Sequence, residues 1–392
     1  MPRTRILPLL ALLAAFPPIS TAMYLPALPM LQAQWGVELS TINLTLVLFF
    51  VFFSVSMLVY GPLSDSYGRR PLLLIGIGIY IVASILCSLA GNVQQLIVFR
   101  ILQALGAASA SSLCMAITKD LFEAQARQRL LAQLGVIVAL APMLSPIIGG
   151  AVLNWLSWHW IFMLQASWGA VAFWGVYRMP EPLPAPVPAS LFEAAARYSR
   201  LFKNRRFMIM NFMVALSLCP IFAFIAASPT IYISHFGVSE QAFGFFFGAN
   251  AVALMAGSFA CSYLTRKISS WPLMQAGFTG ILCGGIAACI LGNSGPVVFA
   301  ATMFAVTFCI GLIRPIGNNL VLEQVDQDIG AAASLLVFLY FVFGAISMGM
   351  ASLNWSDHIR FLSFLSATIG IVLLITLHLI RRFWKISQKP VR

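Results

Sequence analysis

Two arginines, Arg100 and Arg314, stand inside long apolar runs, where a charge is costly unless it is used. A buried guanidinium is the side chain best shaped to grip a carboxylate or phosphate through two parallel hydrogen bonds. Arg314 lies in Gly311-Leu312-Ile313-Arg314-Pro315-Ile316-Gly317-Asn318-Asn319. Pro315 and Gly317 loosen a helix there and free backbone groups to line a cavity. Thr307, Arg314 and Asn318 are spaced to share one helical face. Arg314 and Asn318 are therefore the expected substrate contacts. The competing reading has Arg314 snorkelling to headgroups or pairing with Glu323. The acids point the same way by their placement. All 11, namely Glu38, Asp65, Asp120, Glu123, Glu181, Glu193, Glu240, Glu323, Asp326, Asp328 and Asp357, fall in loops or at the ends of apolar runs. No carboxylate is available near a midplane to carry a proton or to neutralise a cationic ligand. An anionic ligand fits this distribution better. His159, His235 and His358 fall in loops on one side, and His378 near the end of the last run. No metal-spaced His/Cys cluster, phosphate-cradling glycine loop or catalytic triad is present, so neither an enzyme nor a cofactor is expected.

The elements that position these residues are read from composition. Of 392 residues, 60% are hydrophobic and 9% are charged, with mean hydropathy +0.93. Soluble chains carry roughly a quarter charged residues, so a soluble globule and a disordered chain are both excluded. Runs of about 20 apolar residues cross a bilayer as helices. Twelve are expected: 6–31, 41–63, 72–91, 95–118, 130–153, 160–177, 207–231, 241–264, 273–292, 297–322, 330–352 and 361–380. A signal peptide is the alternative for the first run, but that run extends to Leu31 without a clear cleavage site. At 1.5 Å per residue, Arg100 lies about 10 Å inside the outer face.

The net charge of +12 resembles a nucleic-acid binder until its placement is seen. With the N-terminus inside, the short inner loops and tail hold nearly all Lys and Arg, and the outer loops hold only Arg360. The positive-inside rule then places both termini in the cytoplasm of a cell inner membrane. The basic balance serves topology and anionic lipid, and no nucleic-acid partner is expected. All seven cysteines fall within spans, and Trp35, Trp155, Trp158, Trp160, Trp271, Trp355 and Trp384 fall near span ends, as an interfacial belt would. The longest loop opens with Pro180, Pro182, Pro184, Pro186 and Pro188. After it, Ser190 can cap a short helix with Leu191, Phe192, Ala195, Tyr198 and Phe202 on one face. That helix suits a membrane surface, and a plain linker is the alternative. The expected organisation is 1–177 as one six-helix bundle, 178–206 as a cytoplasmic linker, and 207–392 as a second bundle with a short basic tail. Pro71 and Pro272 open corresponding spans, compatible with an internal duplication.

The loop after span two reads Gly61-Pro62-Leu63-Ser64-Asp65-Ser66-Tyr67-Gly68-Arg69-Arg70-Pro71. Gly61 permits close backbone approach and Gly68 a left-handed turn. Asp65 can cap a helix or pair with an arginine. In this stretch the chain resembles the major facilitator superfamily, whose loop signature is G-x-x-x-D-x-x-G-R-[RK]. Span four, with Arg100, Gln103, Gly106 and Ala107, resembles that family's R-x-x-Q-x-x-G-A helix. Span five, with Pro142, Ser145, Pro146, Gly149 and Gly150, resembles the motif of its antiporter branch, with Ser145 where glycine is usual. Met23-Tyr24-Leu25-Pro26-Ala27-Leu28-Pro29 resembles the Bcr/CflA drug-efflux group. The resemblance implies an all-α fold of 12 spans in two six-helix bundles with a central cavity, working by alternating access as a monomer. It also implies that Asp65, Arg69, Arg70, Gly61, Gly68 and Asp120 form a cytoplasmic gate, and that Pro142, Pro146, Gly149 and Gly150 allow close helix packing. Arg100, Gln103 and Tyr24 join Arg314 and Asn318 as substrate contacts.

The chain departs from that group at one informative place. Ala22 stands where an acid usually precedes M-Y-L-P, which puts proton coupling in question. The reading from sequence is therefore an exporter of a small organic anion, such as a carboxylate siderophore. The alternatives are a proton-coupled multidrug or chloramphenicol-type pump, with protons as the candidate coupling ion, and a membrane receptor that does not transport.

Overall fold

The computed structural model describes the backbone of residues 3–183 and 191–383. Side chains are described for the same residues except 3–5, 124–129, 131–133, 135–139, 191–194 and 383. Ser190, the face residues Leu191 and Phe192, Pro184, Pro186, Pro188, Trp384 and the tail beyond it lie outside what is described. Among the described residues every regular element is helical. In chain order these are α1 (Arg3–Ala14), α2 (Phe16–Ala22), α3 (Leu28–Trp35), α4 (Leu39–Tyr67), α5 (Arg69–Ser88), α6 (Val93–Leu121), α7 (Ala124–Trp155), α8 (His159–Tyr177) and α9 (Leu191–Lys203). They continue as α10 (Arg205–Ser217), α11 (Cys219–Pro229), α12 (Glu240–Leu264), α13 (Ser270–Leu291), α14 (Pro296–Leu322), α15 (Ile329–Ala351) and α16 (His358–Phe383). Among the described residues ten helical segments are long and apolar enough to cross a membrane, and Leu140–Trp155 is a shorter apolar stretch.

The first span is not the single helix expected from its hydropathy. It breaks into α1, α2, a tight turn at Leu25–Ala27, and α3. Pro17, Pro18, Pro26 and Pro29 each lack the N–H that a continuous helix would donate, and their rings crowd the preceding turn. The seventh span breaks likewise. Pro220 opens α11, and a wider turn at Thr230–His235 follows Pro229. Such one-turn widenings recur at functional positions in helices.

Packing divides the chain into two units, Met1–Tyr198 with Glu240–Gly244, and Ser199–Ser239 with Phe245–Arg392. In the first unit α5 packs on α6 and α8, α4 on α6, and α2 on α7. In the second, α13 packs on α14 and α16, and α11 on α15. The pairings correspond span for span (three with four and six, nine with ten and twelve, one with five, seven with eleven). The repeat suggested by Pro71 and Pro272 is thus present as repeated packing. Small residues make these contacts possible. A Cβ on Gly106 would lie 2.5 Å from the Tyr80 nitrogen. One on Gly149 would collide with the Met23 carbonyl, and one on Gly150 with the Glu240 carbonyl.

Two expectations about burial need correction. Trp158 is not part of an interfacial belt. It is buried, with its ring 5.7 Å from Trp35 and edge-on to Phe162. Trp155, Trp160 and Trp355 are exposed as expected. Gly61 has open space where a Cβ would go, so no close approach requires it.

Candidate functional site

The first unit holds a polar network inside an apolar bundle. Arg100 projects from α6 and is fully buried. Its Nη1 donates to the Ser20 carbonyl at 2.8 Å and to Gln103 Oε1 at 2.5 Å. Its Nε donates to the Thr45 carbonyl at 3.4 Å. Gln103, one turn on, donates through Nε2 to Ser84 Oγ at 2.8 Å and to Gln165 Oε1 at 2.7 Å. Gln165 in α8 donates in turn to the Ile19 carbonyl at 3.2 Å. Ile19 and Ser20 lie in the last turn of α2, where helix carbonyls have no partner within the helix and the helix dipole is negative. The break in the first span therefore supplies the acceptors that a buried cation needs. The guanidinium also lies 4.4 Å from the Phe49 ring centroid and 5.2 Å from that of Tyr24, within cation–π range. Tyr24 is buried and its hydroxyl is 3.3 Å from Thr45 Oγ1. The structure thus brings Arg100, Gln103 and Tyr24 together. Gln165, Ser84, Thr45 and the carbonyls of α2 are members that sequence reading missed. Arg100 Nη2 has no hydrogen-bond partner among the described residues.

At the other end of the same unit is an ion cluster. Arg69 is buried, pairs with Asp65 at 2.6 Å and Asp120 at 2.8 Å, and also donates to Ser64 Oγ. The pairing expected of Asp65, Arg69 and Asp120 is present. Asp65 does not cap a helix. It lies one turn before Arg69, near the end of α4, and its carboxylate is spent on that arginine. Arg70 stays outside the cluster, donating to the Tyr177 carbonyl at 2.7 Å with its guanidinium over the Tyr177 ring. Gly68 has φ +93°, a backbone that side chains resist.

In the second unit the expected buried arginine is not found. Arg314 is exposed. Glycines take the packed positions around it: Gly311 lies against the Leu254 carbonyl, and a Cβ on Gly317 would lie 2.7 Å from Val214. The alternative partner Glu323 is engaged elsewhere, accepting from Asn319 Nδ2 at 2.6 Å. Asn318 accepts from the Tyr340 hydroxyl, while Thr307 is buried and donates to Asn250 Oδ1 at 2.8 Å. Thr307 therefore has a different partner from Asn318, which meets Tyr340. Asn211 in α10 is fully buried, and neither of its amide atoms has a partner among the described residues. No Asp or Glu is buried among the described residues, and no His/Cys/Asp/Glu group among them could hold a metal ion.

Bilayer-length helices in two units with repeated packing define a multi-pass membrane protein. Residues 10–348 match the Major Facilitator Superfamily, and the chain belongs to it. It is 29% identical over 371 residues to the uncharacterized MFS-type transporter YdgK of Bacillus subtilis, covering 92% of each. It is 28% identical to a chloramphenicol resistance protein of Pseudomonas aeruginosa, covering 83% of this chain and 78% of that one. It is 30% identical to the multidrug transporter MdfA of Escherichia coli O6:H1, covering 72% of this chain and 71% of that one. Among solved structures, a D-xylose-proton symporter superposes with TM-score 0.77 at 15% identity, covering 95% of this chain and 97% of that one. The chain is thus a multi-pass membrane transporter of that superfamily, whose members are not enzymes, and it is similar to proteins named for drug resistance and multidrug transport.

Proposed function

We propose that this carrier exports small organic molecules that are neutral or anionic, antibiotics of the chloramphenicol kind included, by alternating access of its two halves. The observation that carries the reading is the absence of any buried carboxylate among the described residues, beside a buried Arg100. A cationic drug would find no counter-charge inside the helices. A neutral or anionic one meets no such penalty. The named relatives support a drug as cargo, and none supports a carboxylate siderophore, so the proposal stops at the class. On this reading the N- and C-termini are cytoplasmic, and Asp65, Arg69 and Asp120 form the cytoplasmic gate.

The test is uptake into inverted vesicles holding a defined voltage or a defined pH gradient, each applied alone. Chloramphenicol, a carboxylate drug and ethidium are offered in turn. Movement of the neutral or anionic compound without ethidium is the expected result. Ethidium transport driven by the pH gradient would overturn the reading.

A second reading makes Arg314 the counter-charge of an anionic cargo. Its favouring observation is that the arginine is open on its helix rather than consumed by an ion pair. Export of an anion from a negative-inside cell is downhill by about 2.3 kcal/mol per charge per 100 mV, so such a carrier needs no proton.

A further inference from the structure

Helix α5 begins Gly68-Arg69-Arg70-Pro71. The first turn of a helix has N–H groups without partners, and a Ser, Thr, Asp or Asn just before it usually accepts from one. Gly68 has no side chain to do so, and Pro71 has no N–H to satisfy. The donors in need are those of Arg69 and Arg70. Both point to one carboxylate 111 or more residues away: Glu181 Oε1 accepts from Arg69 N at 2.8 Å, and Oε2 from Arg70 N at 3.0 Å. Oε1 also accepts from Leu183 N at 3.0 Å, which fixes the carboxylate to its own segment. Glycine at 68 leaves room for it in this position, since a Cβ there would lie 2.8 Å from Glu181 Oε2 and the carboxylate would have to shift. A negative group at a helix N-terminus is further favoured by the helix dipole.

The same arginine is thus held twice. Its side chain is held by Asp65, Asp120 and Ser64, and its backbone by Glu181. Glu181 lies four residues past the end of α8, on the segment that leaves the sixth span. We infer that Glu181 is a positioning residue of the gate: it clasps the segment leaving the sixth span to the start of α5 and thereby sets where Arg69 sits. The inference rests on the reading of Asp65, Arg69 and Asp120 as the gate. Glu181 is itself exposed, so water competes for its hydrogen bonds and the clasp can open and close. A pull on the departing segment reaches the gate arginine through its backbone, with no contact to its charge.

The test uses a cysteine at position 64 in the full-length protein. Ser64 is fully buried and its hydroxyl accepts from the Arg69 guanidinium, so labelling of S64C reads the opening of the packing around that arginine. Inverted vesicles are treated with a membrane-impermeant maleimide, and modification at residue 64 is followed by mass spectrometry. S64C alone is compared with S64C carrying D120N, E181Q, E181D or G68A. Glutamine keeps the shape but loses the charge, and losing one charge-assisted hydrogen bond corresponds to about tenfold faster labelling. E181Q is expected to show that rise, E181D to restore most of the slow rate, and G68A combined with E181Q to label no faster than E181Q. If D120N speeds labelling and E181Q does not, the gate stands and the clasp is wrong. If D120N has no effect, the gate reading fails and the clasp with it. A lowered melting temperature in E181Q with unchanged labelling would make Glu181 a helix cap and no more.

Discussion

Replacing Gln103 by leucine is expected to destabilise the first unit by about 2–4 kcal/mol. Gln103 makes three polar contacts, to Arg100, Ser84 and Gln165, in a place without water. Polar contacts between membrane helices average about 0.6 kcal/mol each by double-mutant cycles, which sets the lower figure at about 2 kcal/mol. The contact to Arg100 is charge-assisted, worth about 1.5–3 kcal/mol, and leucine also strands Gln165 Oε1 at about 1–3 kcal/mol; the middles of these ranges, about 2 kcal/mol each, set the upper figure. Leucine nearly fills the volume, so little of the loss is cavity. The assay is unfolding in detergent of Q103L, Q165L and the double variant. Each single variant already breaks the bond between the two amides, so the double is expected to cost less than the sum by about 0.6 kcal/mol. A Q103L cost within about 0.5 kcal/mol of zero, the range of an inert surface change, would refute the network's weight. Strict additivity would refute the coupling.

Three further outcomes are expected. R314A and R314K are expected to keep neutral-drug export, while transport of a carboxylate drug falls about tenfold in R314A if a single charge-assisted contact is lost; equal anion transport in both variants and the parent would end the second reading. A22D places an acid at a buried position of α2, two residues past the carbonyl that holds Arg100, and is expected to add ethidium resistance and dependence on the pH gradient; unchanged cargo and unchanged pH dependence would separate Ala22 from both properties. Asp357 opens α16: burial works to raise its carboxyl, but the N–H groups of Arg360 and Ile359, the Asn293 amide and the Arg360 charge outweigh that and hold it below the ordinary range. Its folded value is the lower one, so its stabilisation is present above the unfolded value of about 3.9 and is lost as pH falls through the folded value. D357A is expected to cost about 1 kcal/mol at pH 7 and to lose that part of the acid dependence, read from melting temperatures between pH 6 and pH 3.

The helices were legible because a bilayer demands long apolar runs. The ion pair was legible because Asp65 and Arg69 are one turn apart and the family motif names both. What escaped was everything decided by how helices face each other. Hydropathy alone hid the break in the first span, although Pro17, Pro18, Pro26 and Pro29 announce it. Arg314 reads as buried because its neighbours in sequence are apolar. The structure leaves it exposed, between glycines that pack against Leu254 and Val214. Gln165 gives no local signal, since its partners lie 62 and 146 residues away. Glu181 sits in a proline-rich loop and reads as one more solvated acid. The clue was at the other end, in a helix that starts Gly-Arg-Arg-Pro with no acceptor of its own.

The end of α2 gives the first half an unusual kind of insulation. Most buried cations are balanced by a carboxylate, which a proton can discharge. Here the balance comes from peptide carbonyls and the Gln103 amide, groups that neither gain nor lose a proton in living conditions. Acid on either side of the membrane has nothing to switch at this point. The carboxylates that hold a buried arginine in this half are those of Asp65 and Asp120, on Arg69 at its other end.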